Sequence, residues 1–208
     1  NTQNARPFVT TRTTSTASGL VAGHWNGEIP SNDWEQLQIA ITNMFDMSLF
    51  GIAQSGSSAC GSIGDPREDL ELCTRWTQLS SFMPLARNFD ADLDDEYNLN
   101  TRPVPQYPSI FGDEFVANVK TSIMERYQLL PYLYNLMFEH IYDGTSLFRG
   151  LFEQFPEDEG AYNVFDQYFL GPSLMVIPAM TKSNEGENFT TRQAYFPGNE
   201  DGWFYYNE

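Results

Sequence analysis

Residues 6–28 read R-P-F-V-T-T-R-T-T-S-T-A-S-G-L-V-A-G-H-W-N-G-E, and this stretch guides the interpretation of the rest of the sequence. The first part predicts a short strand over residues 7–11, which leads into an irregular loop rich in Gly, Ser and Thr. That loop ends in His24, Trp25 and Glu28. Barrel enzymes build their sites from strands that end in polar loops carrying such side chains. On these residues alone, a surface loop with a half-buried Trp and a solvated Glu is the stronger interpretation, because short motifs often match by chance.

Helix and strand patterns alternate in the residues that follow. Apolar side chains at helical spacing predict helices over residues 34–44 and 65–82. A continuous apolar run, typical of parallel strands buried on both faces, predicts a strand over residues 49–53, and residues 84–89 are interpreted as a third strand with its terminal loop. An order of strand, helix, strand, helix and strand is typical of a parallel α/β barrel.

A long helix is predicted over residues 113–142, split or kinked at Pro131. Its tyrosines are assigned to the core and not to sugar stacking, because leucines accompany them at helical spacing. These tyrosines are Tyr132, Tyr134 and Tyr142.

From Leu147 onward, short strand patterns separated by Pro, Gly and Asn turns replace the helices. We therefore place a domain boundary near residue 150. Residues 1–150 form the α/β unit, and residues 151–208 open an all-β sandwich. The predicted strands cover residues 148–155, 167–169, 173–177, 193–196 and 203–206.

The composition is that of a folded and strongly acidic chain. Its 208 residues are 41% hydrophobic and carry a formal net charge of −17, which argues against nucleic acid and anionic membranes as partners. No apolar run reaches the length of a transmembrane segment. Asn1 is not an initiator Met and opens no signal-peptide pattern, so we expect a mature or cleaved product. The acidic residues 90–96 are interpreted as a solvated loop, since the Gly and the distant Glu of a calcium loop are missing. No metal or cofactor is predicted.

Cys60 and Cys73 flank a turn-rich loop, and two interpretations are open on the residues alone. Two buried free thiols would be ordinary in a cytosolic protein. A disulfide would close a loop of modest length and would need an oxidising compartment. Asn188 begins an Asn-Phe-Thr glycosylation sequon, which favours the second interpretation and a secreted or secretory-pathway protein.

Residues 6–28 resemble a segment of glycoside hydrolase family 31, the α-glucosidase family, which reads R-P-F-x-x-x-R-S-T-x-x-G-x-x-x-G-H-W-x-G-D-N. The spacing from Arg12 to Glu28 matches the family's spacing from its substrate-binding Arg to its acid/base Asp. The resemblance extends over essentially the whole chain. The further motifs are C-G and L-C-T-R-W-T-Q-L within residues 60–79, P-L-A-R-N at 84–88, R-Y-Q-L-L-P-Y-L-Y at 126–134, Q-Y-F-L-G-P-S-L-M-V-I-P at 167–178 and Y-F-P-G at 195–198.

The resemblance implies a fold and a partner. The fold class is α/β: the C-terminal half of a (β/α)8 TIM barrel followed by strands of an all-β sandwich domain. The family's nucleophile lies in a W-x-D-M-N-E motif that this chain lacks, so the remainder of the same precursor is the implied partner. The matching cysteines are commonly bridged in the family, which implies a Cys60–Cys73 disulfide.

The resemblance also implies which residues form the site. Glu28 stands at the acid/base position, where the family has Asp. Arg12 corresponds to the Arg that hydrogen-bonds the sugar and the acid/base, and Trp25 to an aromatic side chain near the glycone pocket. A retaining glycosidase needs two carboxyl groups about 5–5.5 Å apart, so the second one belongs to the missing part.

Three other substrate-facing positions depart from the family. Ser58 replaces a buried Asp, Ser62 replaces a Phe wall, and Phe89 replaces a His that bonds sugar hydroxyls. Scaffold motifs remain while these positions change together, which favours a pseudoenzyme with a carbohydrate-related, structural or interaction role. The alternative is an active retaining α-glucosidase that hydrolyses terminal α-linked glucose, with Glu28 as its acid and the nucleophile on the N-terminal half.

Overall fold

The structure, a computed structural model, describes residues 7–27, 29–90, 104–187, 189–198 and 202–206. Within these residues, helices join a parallel sheet and an antiparallel sheet of three strands each. None of the described helices is long and apolar enough to cross a membrane.

The parallel sheet brings the ends of its strands to one edge. In spatial order its strands are β1 (Thr10–Thr11), β2 (Gly23–Trp25) and β3 (Ser55–Gly56). Both pairs are parallel, with Thr11 opposite His24 and Trp25 opposite Gly56. The residues that follow the three strands therefore lie close together, although they are far apart in the sequence.

The predicted strand over residues 84–89 lies beside β3. It pairs there through one parallel bridge, between Ser58 and Arg87. Gly56 makes this close approach possible, because a Cβ atom at that position would lie 1.9 Å from the carbonyl oxygen of Leu85. This segment is therefore a fourth stretch of backbone at the edge where the strands end.

Two helices pack together over a shared core. They are α1 (Glu35–Leu49), which links β2 to β3, and α2 (Leu70–Ser80), which follows a 3-10 turn at Pro66–Asp69. The Asp69 side chain caps α2 by accepting a hydrogen bond from Leu72 N at 3.1 Å. Trp76 is fully buried in the core cluster between them. That cluster includes Leu37, Ile41, Met44, Phe45, Leu72 and Leu79.

The prediction of a strand over residues 49–53 is wrong. The apolar face of α1 continues through Phe45, so the helix runs to Leu49 and absorbs the start of that stretch. Gly51, at φ 74°, takes the left-handed conformation that commonly follows a helix end. The pairing with β2 then falls on Ser55–Gly56. The apolar run alone could not separate a helix end from a strand.

The predicted third helix is a single helix, α3, at Asp113–Asp143. It passes through Pro131 without being split into two helices. Gly144 closes it in the left-handed conformation, with its N–H donating to His140 O at 2.9 Å. Tyr132 is partly buried and donates to Leu170 O at 2.8 Å.

The core assignment of the other α3 tyrosines is wrong for this chain. Tyr134 is 67% exposed and Tyr142 is 76% exposed. They belong to a stripe that repeats every three or four residues along α3, which we call the α3 stripe. The α3 stripe consists of Tyr127, Leu130, Tyr134, Phe138 and Ile141, with Tyr142 beside them. Helical spacing identifies an apolar face of α3, but it does not show whether another element of this chain packs against that face.

The second sheet is antiparallel. Its strands, in spatial order, are β4 (Phe148–Gly150), β5 (Tyr168–Leu170) and β6 (Leu174–Val176). The strand predicted over residues 148–155 is shorter than expected, because a turn of helix, α4 (Leu151–Gln154), follows β4. The described residues of the segments 193–196 and 203–206 form no strand.

The antiparallel sheet packs against the core of α1 and α2, and a disulfide ties the parallel sheet to α2. Phe148 and Tyr168 of the antiparallel sheet stack with ring centroids 4.1 Å apart and join the core of α1 and α2. Ser183 Oγ donates to Glu71 Oε1 of α2 at 2.6 Å. Cys60 and Cys73 form the predicted disulfide, which ties the loop after β3 to α2.

Candidate functional site

Four chain segments place side chains at the carboxyl edge of the parallel sheet. Arg12 follows β1, Trp25 ends β2, Ser58 lies two residues beyond β3, and Arg87 and Phe89 belong to the fourth segment. Carboxyl ends of parallel strands are where α/β proteins build ligand sites. Each of these residues except Arg87 was predicted as a site residue from the sequence.

Trp25 is the centre of this group. Its indole is 6% exposed, and its Nε1 donates to Ser58 Oγ at 2.9 Å. The Phe89 ring packs edge-to-face against it, with centroids 5.2 Å apart and an interplanar angle of 76°. The Arg87 guanidinium carbon lies 4.3 Å from the indole centroid and 4.6 Å from the Phe89 centroid. We call Trp25, Ser58, Arg87 and Phe89 the Trp25 cluster.

Arg12 approaches the same indole from another direction. Its guanidinium carbon lies 5.7 Å from the Trp25 centroid, which is within cation–π range. A Cβ on Gly27 would lie 3.4 Å from Arg12 Nε, so this side chain lies against the backbone just before Glu28. Glu28 itself is outside the described residues, as is the sequon residue Asn188.

The two predicted serines have defined partners. Ser58 is fully buried and serves the Trp25 indole. Ser62 is also buried, and its Oγ accepts a hydrogen bond from Ile29 N at 2.9 Å. None of the contacts found among the described residues joins Ser62 to the Trp25 cluster. Its side chain holds the chain that follows β2.

Sequence reasoning missed Arg87 and Asn26 near the site, and it noted Gln106 only as part of a segment that departs from the family's E-P-Y motif. Arg87 was assigned to a scaffold motif, although its guanidinium lies on the indole. Asn26 follows Trp25 directly, and both polar atoms of its side chain are buried without a hydrogen-bond partner. Gln106 is 1% exposed and donates to Gly61 O at 3.2 Å, while its Oε1 is buried and unpartnered. A polar residue at the end of a buried strand was the only available signal for Asn26.

His24 lies beside the cluster on β2 but has a structural environment. Its Nδ1 is 2.9 Å from Thr14 Oγ1. Burial lowers the pKa of His24 below its ordinary value, so the imidazole is neutral at physiological pH. Among the described residues, no group of three His, Cys, Asp or Glu side chains is placed to hold a metal ion.

An indole contacted by two guanidinium groups lies at the carboxyl edge of a parallel sheet, which is where α/β proteins build ligand sites. Residues 1–136 match the glycosyl hydrolases family 31 TIM-barrel domain, and residues 144–208 match the glycosyl hydrolase family 31 C-terminal domain. The chain therefore belongs to glycoside hydrolase family 31.

Relatives and solved structures agree with this assignment. The chain is 37% identical over 196 residues to the lysosomal alpha-glucosidase of Mus musculus, covering 94% of this chain and 19% of that protein. It is 35% identical over 205 residues to an alpha-glucosidase of Aspergillus oryzae, covering 99% of this chain and 19% of that protein. The Tris-bound glucosidase II alpha subunit superimposes with a TM-score of 0.75 at 27% identity, over 86% of this chain and 18% of that one. The chain thus spans about a fifth of the length of these relatives.

Proposed function

We propose that this chain is part of a family 31 protein that binds α-linked glucose weakly and hydrolyses it poorly or not at all. In this proposal residues 1–150 are the C-terminal half of the catalytic barrel, and residues 151–208 begin the β-sandwich domain. The observation that carries the proposal is the packing of Phe89 on Trp25.

Phe89 stands where the resembled family has a His that bonds sugar hydroxyls. A phenyl ring neither donates nor accepts a hydrogen bond, so a sugar hydroxyl that faces it loses its partner. Leaving a buried polar group unpaired costs about 1–3 kcal/mol. Because such a penalty also applies in the transition state, it lowers kcat/KM together with affinity.

The acid/base and its surroundings are altered too. Glu28 is one methylene longer than the Asp of the family, and a misplacement of about 1 Å reduces rates by about a hundredfold. Ser58 replaces a carboxylate with a hydroxyl that accepts from the indole. The site therefore has one negative charge fewer than the family pattern, next to the guanidinium group of Arg87.

A second candidate function is an active retaining α-glucosidase. It is supported by the approach of Arg12 to Trp25 and by the names of the relatives, which are alpha-glucosidases. Glu28 remains a carboxyl group and is the acid in this alternative. The nucleophile comes from the part of the precursor that precedes residue 1.

We propose the remainder of the same precursor as the partner of this segment. The α3 stripe and the edge strand β1, with Phe8 67% exposed beside it, leave apolar surface open in this segment. Such surfaces are covered in stable proteins. Relatives named lysosomal, together with the disulfide and the sequon at Asn188, support a secreted or secretory-pathway lumenal glycoprotein.

The test is hydrolysis by the full-length protein. A chromogenic α-glucoside and maltose are assayed with the wild type and with Glu28→Gln. We expect no turnover at ordinary enzymic rates in either. Turnover that disappears in Glu28→Gln would instead establish the second candidate, with Glu28 as its acid.

A further inference from the structure

We propose that the Trp25 cluster recognises a saccharide that carries a carboxylate, through the guanidinium group of Arg87. The inference rests on the proposed function for the saccharide part of the ligand. The negative charge of the ligand follows from the surroundings of Arg87.

Arg87 differs from most of the other described Lys and Arg residues. Four of them form ion pairs with carboxylates, and Arg126 donates to three backbone carbonyl oxygens. The ion pairs are Arg67–Asp65, Arg75–Glu71, Lys182–Asp69 and Arg192–Asp166, and the acceptors of Arg126 belong to Ser81, Met83 and Pro84. Within the described part of the chain, the Arg87 side chain forms no ion pair and no hydrogen bond; its contacts are with two aromatic rings.

Carboxylates are abundant in this chain. The sequence has 28 Asp and Glu residues against 11 Lys and Arg residues, and four of the nine described Lys and Arg side chains form ion pairs with carboxylates. Residue 58 lies beside Arg87. The resembled family has a carboxylate at this position, and this chain has Ser. Ser58 pairs with Arg87 across the sheet edge, and both contact the Trp25 indole. With Ser at position 58, the N–H donors of the Arg87 guanidinium have no acceptor among the residues that the structure describes.

The stacking prepares Arg87 for a planar anion. Trp25 and Phe89 hold the guanidinium at 4.3 and 4.6 Å from their ring centroids, and the residue is exposed to solvent on its remaining side. A fixed guanidinium offers two parallel N–H donors, which match the two oxygens of a carboxylate. Charge-assisted hydrogen bonds are stronger than neutral ones, so we expect a carboxylate to raise affinity by about tenfold or more.

Isothermal titration calorimetry of the full-length protein with D-glucuronate and D-glucose tests the proposal. We expect the wild type to bind glucuronate at least about tenfold more tightly than glucose. Arg87→Gln should remove this preference. Lys120→Gln removes an equal charge from an exposed position on α3 and should keep it. Ser58→Asp, which returns a carboxylate beside Arg87, should also reduce the preference.

Equal affinity for the two sugars in the wild type, or no binding of glucuronate, would overturn the proposal. A preference that persists in Arg87→Gln would overturn it as well. Hydrolysis of a chromogenic α-glucoside is recorded on the same samples. Rapid turnover would contradict the proposed loss of hydrolysis, while the ratio of the two affinities would still decide the role of Arg87.

Discussion

The indoles of Trp76 and Trp25 donate to two adjacent serines, yet the regions around the two rings differ. Trp76 Nε1 donates to Ser57 Oγ at 3.1 Å, and Trp25 Nε1 donates to Ser58 Oγ at 2.9 Å. Adjacent residues of an extended chain point to opposite faces. Ser57 thus accepts its hydrogen bond in the helix-covered core, and Ser58 accepts its hydrogen bond at the edge where the strands end.

The core region surrounds its indole with packed apolar side chains. Trp76 is fully buried, and the disulfide fixes the chain beside it. In the Trp25 cluster, Phe89 and Ser58 stand in our proposal for a His and an Asp of the family, and the Arg87 side chain has no acceptor among the described residues. The contrast teaches that two adjacent serines can support two different environments, one in the packed core and one at the edge where the strands end.

The largest expected effect is on the core side of this comparison. Trp76→Ala removes a fully buried indole, and large-to-small changes of this kind reduce the free energy of unfolding by about 3–5 kcal/mol. Denaturant unfolding of the full-length protein measures it, with Trp76→Phe as a milder control. A loss below about 1 kcal/mol would show that the core does not depend on this ring.

The disulfide is the second way to weaken the core region. Cys60 and Cys73 are 13 residues apart, and a crosslink over such a loop contributes about 3 kcal/mol in the chain-entropy treatment. Replacing both cysteines by Ala should lower the midpoint of thermal unfolding. A reductant should lower the midpoint of the wild type and leave that of the double variant unchanged. Equal responses of the two proteins would contradict a stabilising bridge.

A change on the site side should affect binding and spare the fold. Phe89→His gives the sugar a hydrogen-bonding partner again, so affinity for glucose should rise by about tenfold. Calorimetry measures the affinity, and denaturant unfolding should show a change within about 1 kcal/mol, because Phe89 is only partly buried. Phe89→Leu, which cannot form hydrogen bonds, is the matched control. An equal gain in Phe89→Leu would refute the hydrogen-bond explanation.

The smallest expected effect is a pH dependence from His24. Burial lowers its folded-state pKa below the unfolded value of 6.5, so the unfolded chain binds more protons between these two pKa values. Stability should therefore fall as pH decreases through 6.5 and level off below the folded-state pKa. Unfolding measured from pH 5 to 8 should lose this slope in His24→Gln. An unchanged slope in the variant would assign the pH dependence to another group.

Much of the scaffold could be predicted because its signals are local. The periodicity of α1 and α2, three of the five strand patterns after Leu147 and the cysteine pair lead to elements that the structure contains. The strands of the parallel sheet were harder to place because they are two or three residues long, too short for a period. The exposure of the α3 stripe could not be predicted, because helical spacing identifies an apolar face but does not show which part of the protein packs against it.

The site was only partly predictable for a related reason. Arg12, Trp25, Ser58 and Phe89 were predicted from the resemblance to family motifs, which does not depend on three-dimensional contacts, and the structure brings them to one edge of the sheet. The stacking of Arg87 on two rings depends on strands that are distant in sequence. No local sequence pattern therefore predicts it. Asn26 was missed because its signal is a lack of partners, which only coordinates reveal.

The central claim is that substitutions around Trp25 have removed hydrolysis while the scaffold remains. The most direct measurement compares turnover of a chromogenic α-glucoside by the full-length wild type and by a variant carrying Glu28→Asp, Ser58→Asp and Phe89→His. We predict negligible turnover in the wild type and a measurable gain, of about a hundredfold or more, in the variant. Rapid turnover by the wild type, lost in Glu28→Gln, would contradict the claim and identify an active α-glucosidase.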